Sequence, residues 1–307
     1  MLSIKTNTSA MTALQNLANT QKEMEKTQAR ISTGLRVGSA SDNAAYWSIA
    51  TTMQSDNSAL STVRDALNLG SATIDTANAG LTASKDLVNQ IKTKLVAATQ
   101  PGVDRAKVQD EIGQLQKQLK SVADSASFSG QNWLSVDSAA ATYNPTRSIV
   151  ASFTRDAANA VSIQTIDVDV SKTALFDVNG PAGIIDKSRT VGTTTADVYT
   201  MDISALTDST ADLATLSDYV KIADQAFNEI VAASSSLGAA KARVTTQQSF
   251  VSSLSDAITK GVGALTDADM TEESTRLQAL QTQQQLGVQS LSIANQSTQS
   301  VMSLFRG

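Results

Sequence analysis

The stretch Tyr46–Leu95, YWSIATTMQSDNSALSTVRDALNLGSATIDTANAGLTASKDLVNQIKTKL, decides how the chain must fold. Steps of three and four from Tyr46 land on Ile49, Met53, Asp56, Leu60, Val63, Leu67, Gly70, Ile74, Ala77, Leu81, Ser84, Val88, Ile91 and Leu95. This is a heptad seam sustained for about seven heptads and interrupted only at Asp56, Gly70 and Ser84. Such persistence predicts coiled-coil packing rather than a globular helix. At ~1.5 Å per residue the helix is a rod of roughly 75 Å.

Two further seams supply partners. One runs Leu213, Leu216, Val220, Ala223, Phe227, Ile230, Ser234, Leu237, Lys241, Val244, Gln248, Val251, Ser255, Ile258, Val262 and Leu265, with its polar positions clustered in the middle and Lys241 placed to fix register. A shorter one, Val108, Ile112, Leu115, Leu119 and Val122, follows Pro101-Gly102, with Asp104 as its N-cap. One long helix therefore turns back into a shorter one, and a third arrives from far along the chain. The fold class is mainly α, a long antiparallel bundle of helical rods.

All three prolines, Pro101, Pro145 and Pro181, lie in the middle of the chain, so both flanks are free of the strongest helix breaker. Residues 142–203 differ in kind. They are rich in Thr, Val, Ile and Asp, and VSIQTIDVDV, Val161–Val170, alternates as a strand with one buried face. A small β-rich insert is expected there. Before it, Phe128–Trp133 reads as a hairpin turn.

The two ends are a third kind of segment. Met11, Leu14, Leu17, Met24, Ile31 and Leu35 keep a helical stripe that Gly34 should stop. From Thr275 to Gly307 there is no acidic residue, only Arg276 and Arg306 are basic, and eight glutamines lie between the apolar positions. Leu277, Leu280, Gln284, Gly287, Leu291, Ala294, Thr298, Val301 and Phe305 follow the three-four spacing. Disordered tails are usually highly charged and poor in aliphatics. A striped, uncharged helix instead suits burial on several sides in a protein–protein contact.

The 307-residue chain contains neither cysteine nor histidine. Disulfides, thiolate metal sites, the Ser-His-Asp arrangement and the HExxH zinc protease are thereby excluded. A net charge of -5 gives no basic face for nucleic acid. No apolar run approaches a membrane span of roughly 18 residues. The start, MLSIKTNTSAMTAL, has no h-region with a cleavage site, which leaves cytosolic residence or export without a cleaved signal.

Asp267, Asp269, Glu272 and Glu273 invite comparison with a calcium loop. That pattern needs Gly sixth and Glu twelfth, where this chain has Glu272 and Gln278. They read better as acids at a helix N-terminus. Asp167 and Asp169 sit at strand spacing on a solvent face. No glycine pattern resembles a phosphate loop. No cofactor and no metal are expected, and no catalysis.

The string RISTGLRVGSASDNAA, Arg30–Ala45, resembles the N-terminal motif of bacterial flagellins, roughly R-I/L-S-[ST]-G-x-R-I-N-S-A-K-D-D-A-A. Arg30, Gly34, Arg36, Asp42 and Asn43 carry the match. LQTQQQLGVQSLSIANQSTQSVMSLFR, Leu280–Arg306, is similar to the family's closing motif, including Ala294-Asn295-Gln296 and Leu304-Phe305-Arg306. The resemblance covers about residues 1–140 and 205–307, and the middle is the part flagellins vary.

The resemblance implies the structural subunit of an extracellular helical filament for swimming, secreted through the flagellar export channel. It implies chain ends that fold together as a coiled coil lining the filament lumen, with the rods as the next shell and the insert outermost. It places assembly surfaces at Leu14, Leu17, Met24, Ile31, Leu35, Leu277, Leu280, Leu291, Val301, Leu304 and Phe305. The segments expected are 1–40 N-terminal core helix, 41–141 and 204–265 rods, 142–203 outer insert, and 266–307 C-terminal core helix. Implied partners are other copies, sister flagellins, an export chaperone, the filament cap and hook-junction proteins, with no nucleic acid and no membrane insertion. A hook–filament junction protein shares the end motifs, and a secreted coiled-coil adhesin or effector is the alternative of another class.

There are departures. The family's K-D-D reads Ser41-Asp42-Asn43, and Tyr46-Trp47 replaces a small or aliphatic pair, in a segment that plant receptors read in many flagellins. The helical patch read by animal receptors, often R-V-R-E-L-A, corresponds to Gln90–Leu95. Gln90 and Thr93 stand where the first arginine and the acid would be, so weak activation is expected. Such variants resemble α-proteobacterial flagellins.

Overall fold

The computed structural model describes the backbone of residues 7–156 and 158–304, and the side chains of these up to 296. Among the described residues five α-helices carry the architecture: α1 (Thr8–Thr33), α2 (Ala44–Ala98), α3 (Arg105–Ser125), α4 (Thr210–Thr266) and α5 (Met270–Leu304). Between α3 and α4 the described residues form eight strands. They are β1 (Ser127–Phe128), β2 (Gln131–Asn132), β3 (Ser135–Val136), β4 (Thr146–Arg155), β5 (Val161–Asp169), β6 (Phe176–Asp177), β7 (Arg189–Val191) and β8 (Thr194–Ala196). The chain forms two compact units, residues 1–58 with 256–307, and residues 59–255.

In the 59–255 unit the two long seams meet. Lys92 pairs with Asp224 at 2.6 Å, Ser234 bonds Asn78 at 2.7 Å, Lys241 bonds Ser71 at 2.6 Å and pairs with Asp75, and Gln248 bonds Asn68 at 2.9 Å. Numbers fall on α2 as they rise on α4, so the helices are antiparallel. Between these polar contacts the apolar positions close the seam. Leu60, Val63, Leu67, Ile74, Ala77, Leu81, Val88, Ile91 and Leu95 are buried, against Leu216, Ala223, Ile230, Leu237, Val244 and Val251. Each fully buried Leu, Ile or Val contributes about 1.5–3 kcal/mol. Lys241 sits in mid-seam with two α2 partners, the register role its position predicts.

α3 packs back along α2, with Lys94 paired to Glu111 and Ile112 and Leu119 buried. Asp104 caps it, accepting from the Lys107 N–H. At the other end the hairpin β1–β2 turns through Ser129 (φ 51°) and Gly130 (φ 76°), a pair of left-handed residues that a tight two-residue turn requires. Gly80 leaves the space that Leu134 fills, since a Cβ there would lie 2.4 Å from its Cδ1.

The residues from 142 to 203 are strand-rich, as their composition predicts. β4 and β5 pair antiparallel with an irregularity between Val150 and Ser152. Ile166, Val168 and Val170 are buried while Asp167 and Asp169 are exposed, so the alternation holds in the second half of the stretch; Val161 and Ile163, expected on the same buried face, are exposed because that end of the hairpin has nothing covering it. This segment shares the compact unit of the rods, and buried polar side chains fasten it there. Gln116 Nε2 donates to the Val198 and Met201 carbonyls at 3.0 Å each. Arg105 donates to the carbonyls of Ala98 and Leu206 and pairs with Asp208 at 2.5 Å. Arg189 joins the Ile184 carbonyl and Glu229, both at 2.7 Å.

No described helix is long and apolar enough to cross a membrane.

Candidate assembly surfaces and the joint that positions them

In the other unit, α1 and α5 run antiparallel. Arg30 faces Glu273 at 2.8 Å, Gln284 bonds Gln21 at 2.9 Å, and Asn7 Nδ2 donates to the Ala294 carbonyl at 3.0 Å. Gly287 is a point of close approach, where a Cβ would stand 3.3 Å from Leu17 Cδ1. The covered stripe of α5 is Leu277, Leu280, Gln284, Gly287, Leu291 and Ala294, the spacing read from the sequence.

A short joint aligns this pair. Asn7 caps α1, accepting from the Ala10 N–H at 3.0 Å. α1 ends at Gly34 in the left-handed conformation (φ 72°), its N–H bonding the Arg30 carbonyl. The chain then lies against the end of α4 and the turn that leads into α5. The Arg36 and Val37 N–H groups donate to the Thr266 carbonyl at 2.7 and 3.1 Å, and the Ala268 N–H donates back to Gly34 at 2.9 Å. Leu35 and Asp267 form an antiparallel bridge. The Arg36 guanidinium reaches the Leu265 carbonyl at 3.2 Å.

Asp42 closes the next turn. Its Oδ2 accepts from the Gly38 and Ser39 N–H groups and the Ser39 hydroxyl, at 3.2, 3.1 and 3.0 Å. The Ser39 hydroxyl, with these backbone amides, holds its carboxyl below the ordinary aspartate value. Asn43 caps α2 through Oδ1, accepting from the Ala45 and Tyr46 N–H groups at 3.1 Å. Asn serves an N-cap as well as Asp does, so the departure from K-D-D keeps the helix start intact. Asp269 caps α5, taking the Thr271 N–H at 2.8 Å, and these amides hold its carboxyl low.

The residues singled out from the sequence fall in four places. Met24 is buried between α1 and α5, and Leu17, Ile31, Leu35, Leu277, Leu280 and Leu291 are half-buried. Leu14 is exposed, beside exposed Met11. Val301 and Leu304 belong to α5 by backbone, and Phe305 lies outside the described residues, as do the side chains of the other two. Arg30, Gly34, Arg36, Asp42 and Asn43 make the joint. Gln90 and Thr93 are both exposed on α2, in the 59–255 unit.

Sequence reasoning read Glu273 only as an acid in a first helical turn. It is a buried carboxylate paired with Arg30. The signal lay in the charge pattern: after Glu273 the chain has no further acid. Val37, buried in the joint, gave no periodic signal because it lies between helices.

Among the described residues, no group of three or more Asp or Glu could hold a metal ion.

Comparison with known proteins matches the architecture end by end. The family model for the bacterial flagellin N-terminal helical region matches residues 4–139. That for the bacterial flagellin C-terminal helical region matches residues 220–305. Over the full length of both chains the protein is 48% identical to flagellin C and 43% identical to flagellin A of Rhizobium meliloti (strain 1021). It is 44% identical to the flagellin of Brucella melitensis biotype 1, again over the full length of both. The seam-built rods, the two end helices held by a joint made of the Arg30–Asn43 motif, and these full-length likenesses agree: the chain belongs to the bacterial flagellins, of the α-proteobacterial type.

Proposed function

We propose that this flagellin assembles through the outer faces of the α1–α5 pair. As a flagellin it is a structural subunit of the extracellular helical filament that bacteria use to swim, and the alternatives of a junction protein or a secreted adhesin are not favoured. One observation carries the more specific reading. Met11 is 63% exposed, Leu14 53%, Leu286 57%, Val288 53% and Ile293 60%. After Arg276, α5 carries no charged residue. Exposed apolar side chains on an uncharged helix favour contact with further copies, where charged groups are depleted. The paired stripe from Leu17 to Leu291 would align the helices, and Leu14, Val301, Leu304 and Phe305 would extend the contact.

The segments then divide by role. Residues 1–40 and 266–307 form the filament core, 41–141 and 204–265 the rods around it, and 142–203 the outer part. Sister flagellins would co-assemble, and an export chaperone, the filament cap and hook-junction proteins would be partners in delivery and placement. The chain would act without catalysis. With Gln90 and Thr93 at the animal-receptor patch, the monomer would stimulate that receptor weakly in a reporter-cell assay.

The test is removal of Gln299–Gly307. The truncated monomer should keep nearly all its helical circular dichroism and form no filaments under the electron microscope. Ordinary filaments from the truncated chain would refute the assignment.

A further inference from the structure

The segment after β6 turns back on itself and closes on two carboxylates. Asp177, in β6, is only 7% exposed. Its Oδ1 accepts from the Ser138 N–H at 3.0 Å and the Asn179 N–H at 3.3 Å. Asp186 places its Oδ2 on the backbone N–H of Asp177 at 2.7 Å. One carboxyl group thus rests on the residue that bears the other. The two remaining oxygens, Asp177 Oδ2 and Asp186 Oδ1, are buried and neither has a hydrogen-bond partner.

The surrounding charges do not relieve them. Asp137 holds the Asn179 side-chain amide at 2.6 Å, which adds another acid nearby. Lys120 lies over the Phe176 ring but is paired with Asp124 at 2.5 Å. Arg189 is committed to Glu229 and to the carbonyls of Ile184 and Lys187. Burial raises the Tyr143 phenol, helped by the Asp177 charge and opposed by Arg147, the cation on that side of the site.

Both leftover oxygens are acceptor-only and lose hydration, and the Asp177 charge disfavours ionisation of Asp186. A protonated carboxyl gains a donor, which an unpartnered carboxylate oxygen on the neighbouring residue can accept. We propose that Asp177 and Asp186 share one proton, Asp186 Oδ1 donating to Asp177 Oδ2, and that this bond latches the neck of the 178–185 loop. The environments separate the two roles. Burial pushes the Asp186 carboxyl up, assisted by the Asp177 charge and opposed by backbone amides. Burial also opposes ionisation of Asp177, but the Ser138 hydroxyl, with the Ser138 and Asn179 amides, outweighs it and holds that carboxyl low. Carboxyl pairs whose environments drive them apart divide into an acid and a carboxylate.

Asp186 binds its proton more tightly folded than unfolded. The latch is therefore complete in acid and weakens as pH rises through the folded value of Asp186.

The experiment is urea unfolding of the full-length monomer at pH 4 and pH 7, followed by tryptophan fluorescence, with Asp186→Asn and Asp186→Ala. Asn reproduces the protonated acid: one acceptor for the Asp177 N–H and one donor for Asp177 Oδ2. Asp186→Asn should match the wild type at pH 4 and exceed it at pH 7, on the order of 0.3 M in urea midpoint. Asp186→Ala should fall below it at both. If Asn lowers the pH 7 midpoint as Ala does, or its offset from wild type is the same at both pH values, the shared proton is refuted. Carboxyl 13C shifts of the wild type give a check that needs no variant. One aspartate titrating above the ordinary range supports the pair, and all aspartates titrating at or below it overturns the proposal.

Discussion

The α2–α4 seam and the α1–α5 pair are both antiparallel helix contacts, yet they are finished to different degrees. Along the seam the three-four positions from Leu60 to Leu95 are buried without a break, and polar contacts such as Lys241 with Ser71 and Asp75 set register. In α1 only Ala10, Met24 and Thr27 are buried, and among the described side chains of α5 only Glu273 is. The first contact consumes its apolar stripe within one chain. The second uses half of it and leaves Met11, Leu14, Leu286, Val288 and Ile293 in water. The same periodicity therefore builds a closed core in one place and an open surface in the other. What separates them is how much of the covered stripe is large and apolar: the seam runs mostly through Leu, Ile and Val, whereas in α5 Gln284, Gly287 and Ala294 interrupt the leucines.

The contrast is sharpest at single leucine-sized deletions. Leu81→Ala, in the closed seam, should cost about 3 kcal/mol of monomer stability in urea unfolding. Ile293→Ala should change monomer stability by under ~0.5 kcal/mol and raise the concentration needed for polymerisation. The comparison breaks if Ile293→Ala polymerises like the wild type. Next comes the one buried charge of the open pair. Glu273→Gln strands Arg30 and should cost about 2 kcal/mol, read as faster amide exchange across α1 and α5 with the α2–α4 seam unaffected. Gly34→Ala strains the left-handed cap and should cost about 1 kcal/mol, again confined to exchange in the joint. The smallest effect concerns Asp269. Its carboxyl is held low by the amides it caps, so its contribution is present above the ordinary aspartate value and lost as pH falls through the folded one. Acidification from pH 5 to pH 3 should fray the first turn of α5, and Asp269→Asn should remove that pH dependence.

Most of the architecture was legible because it rests on repeated local rules. The seam could be counted from Tyr46, though among its own positions the first buried one is Leu60, and Tyr46, Ile49 and neighbouring Trp47 remain exposed. Asp104, Gly34 and the Ser129-Gly130 turn were readable because caps and turns are set by residues a few positions apart. Arg105, Gln116 and Arg189 were not, since their partners are backbone carbonyls or side chains brought together only by the fold. For the assembly surface, spacing located the stripe of α5 but could not tell which side of Leu14 would be covered. The Arg30–Asn43 string was recognisable by likeness, whereas its work as a joint was invisible. That work is done by main-chain groups of residues 34–37 and 266–268, and main-chain groups have no letter in a sequence.

The joint also sets an order in time. The Gly34 carbonyl waits for the N–H of Ala268, and Arg36 and Val37 wait for Thr266. A chain made or delivered from its first residue cannot close these bonds until almost all of it has arrived. Throughout that interval α1 has no α5 to meet, and its apolar stripe is open to any carrier that can hold it. Arrival of residues 266–268 is thus reported at one place, by a handful of hydrogen bonds to the segment that follows α1.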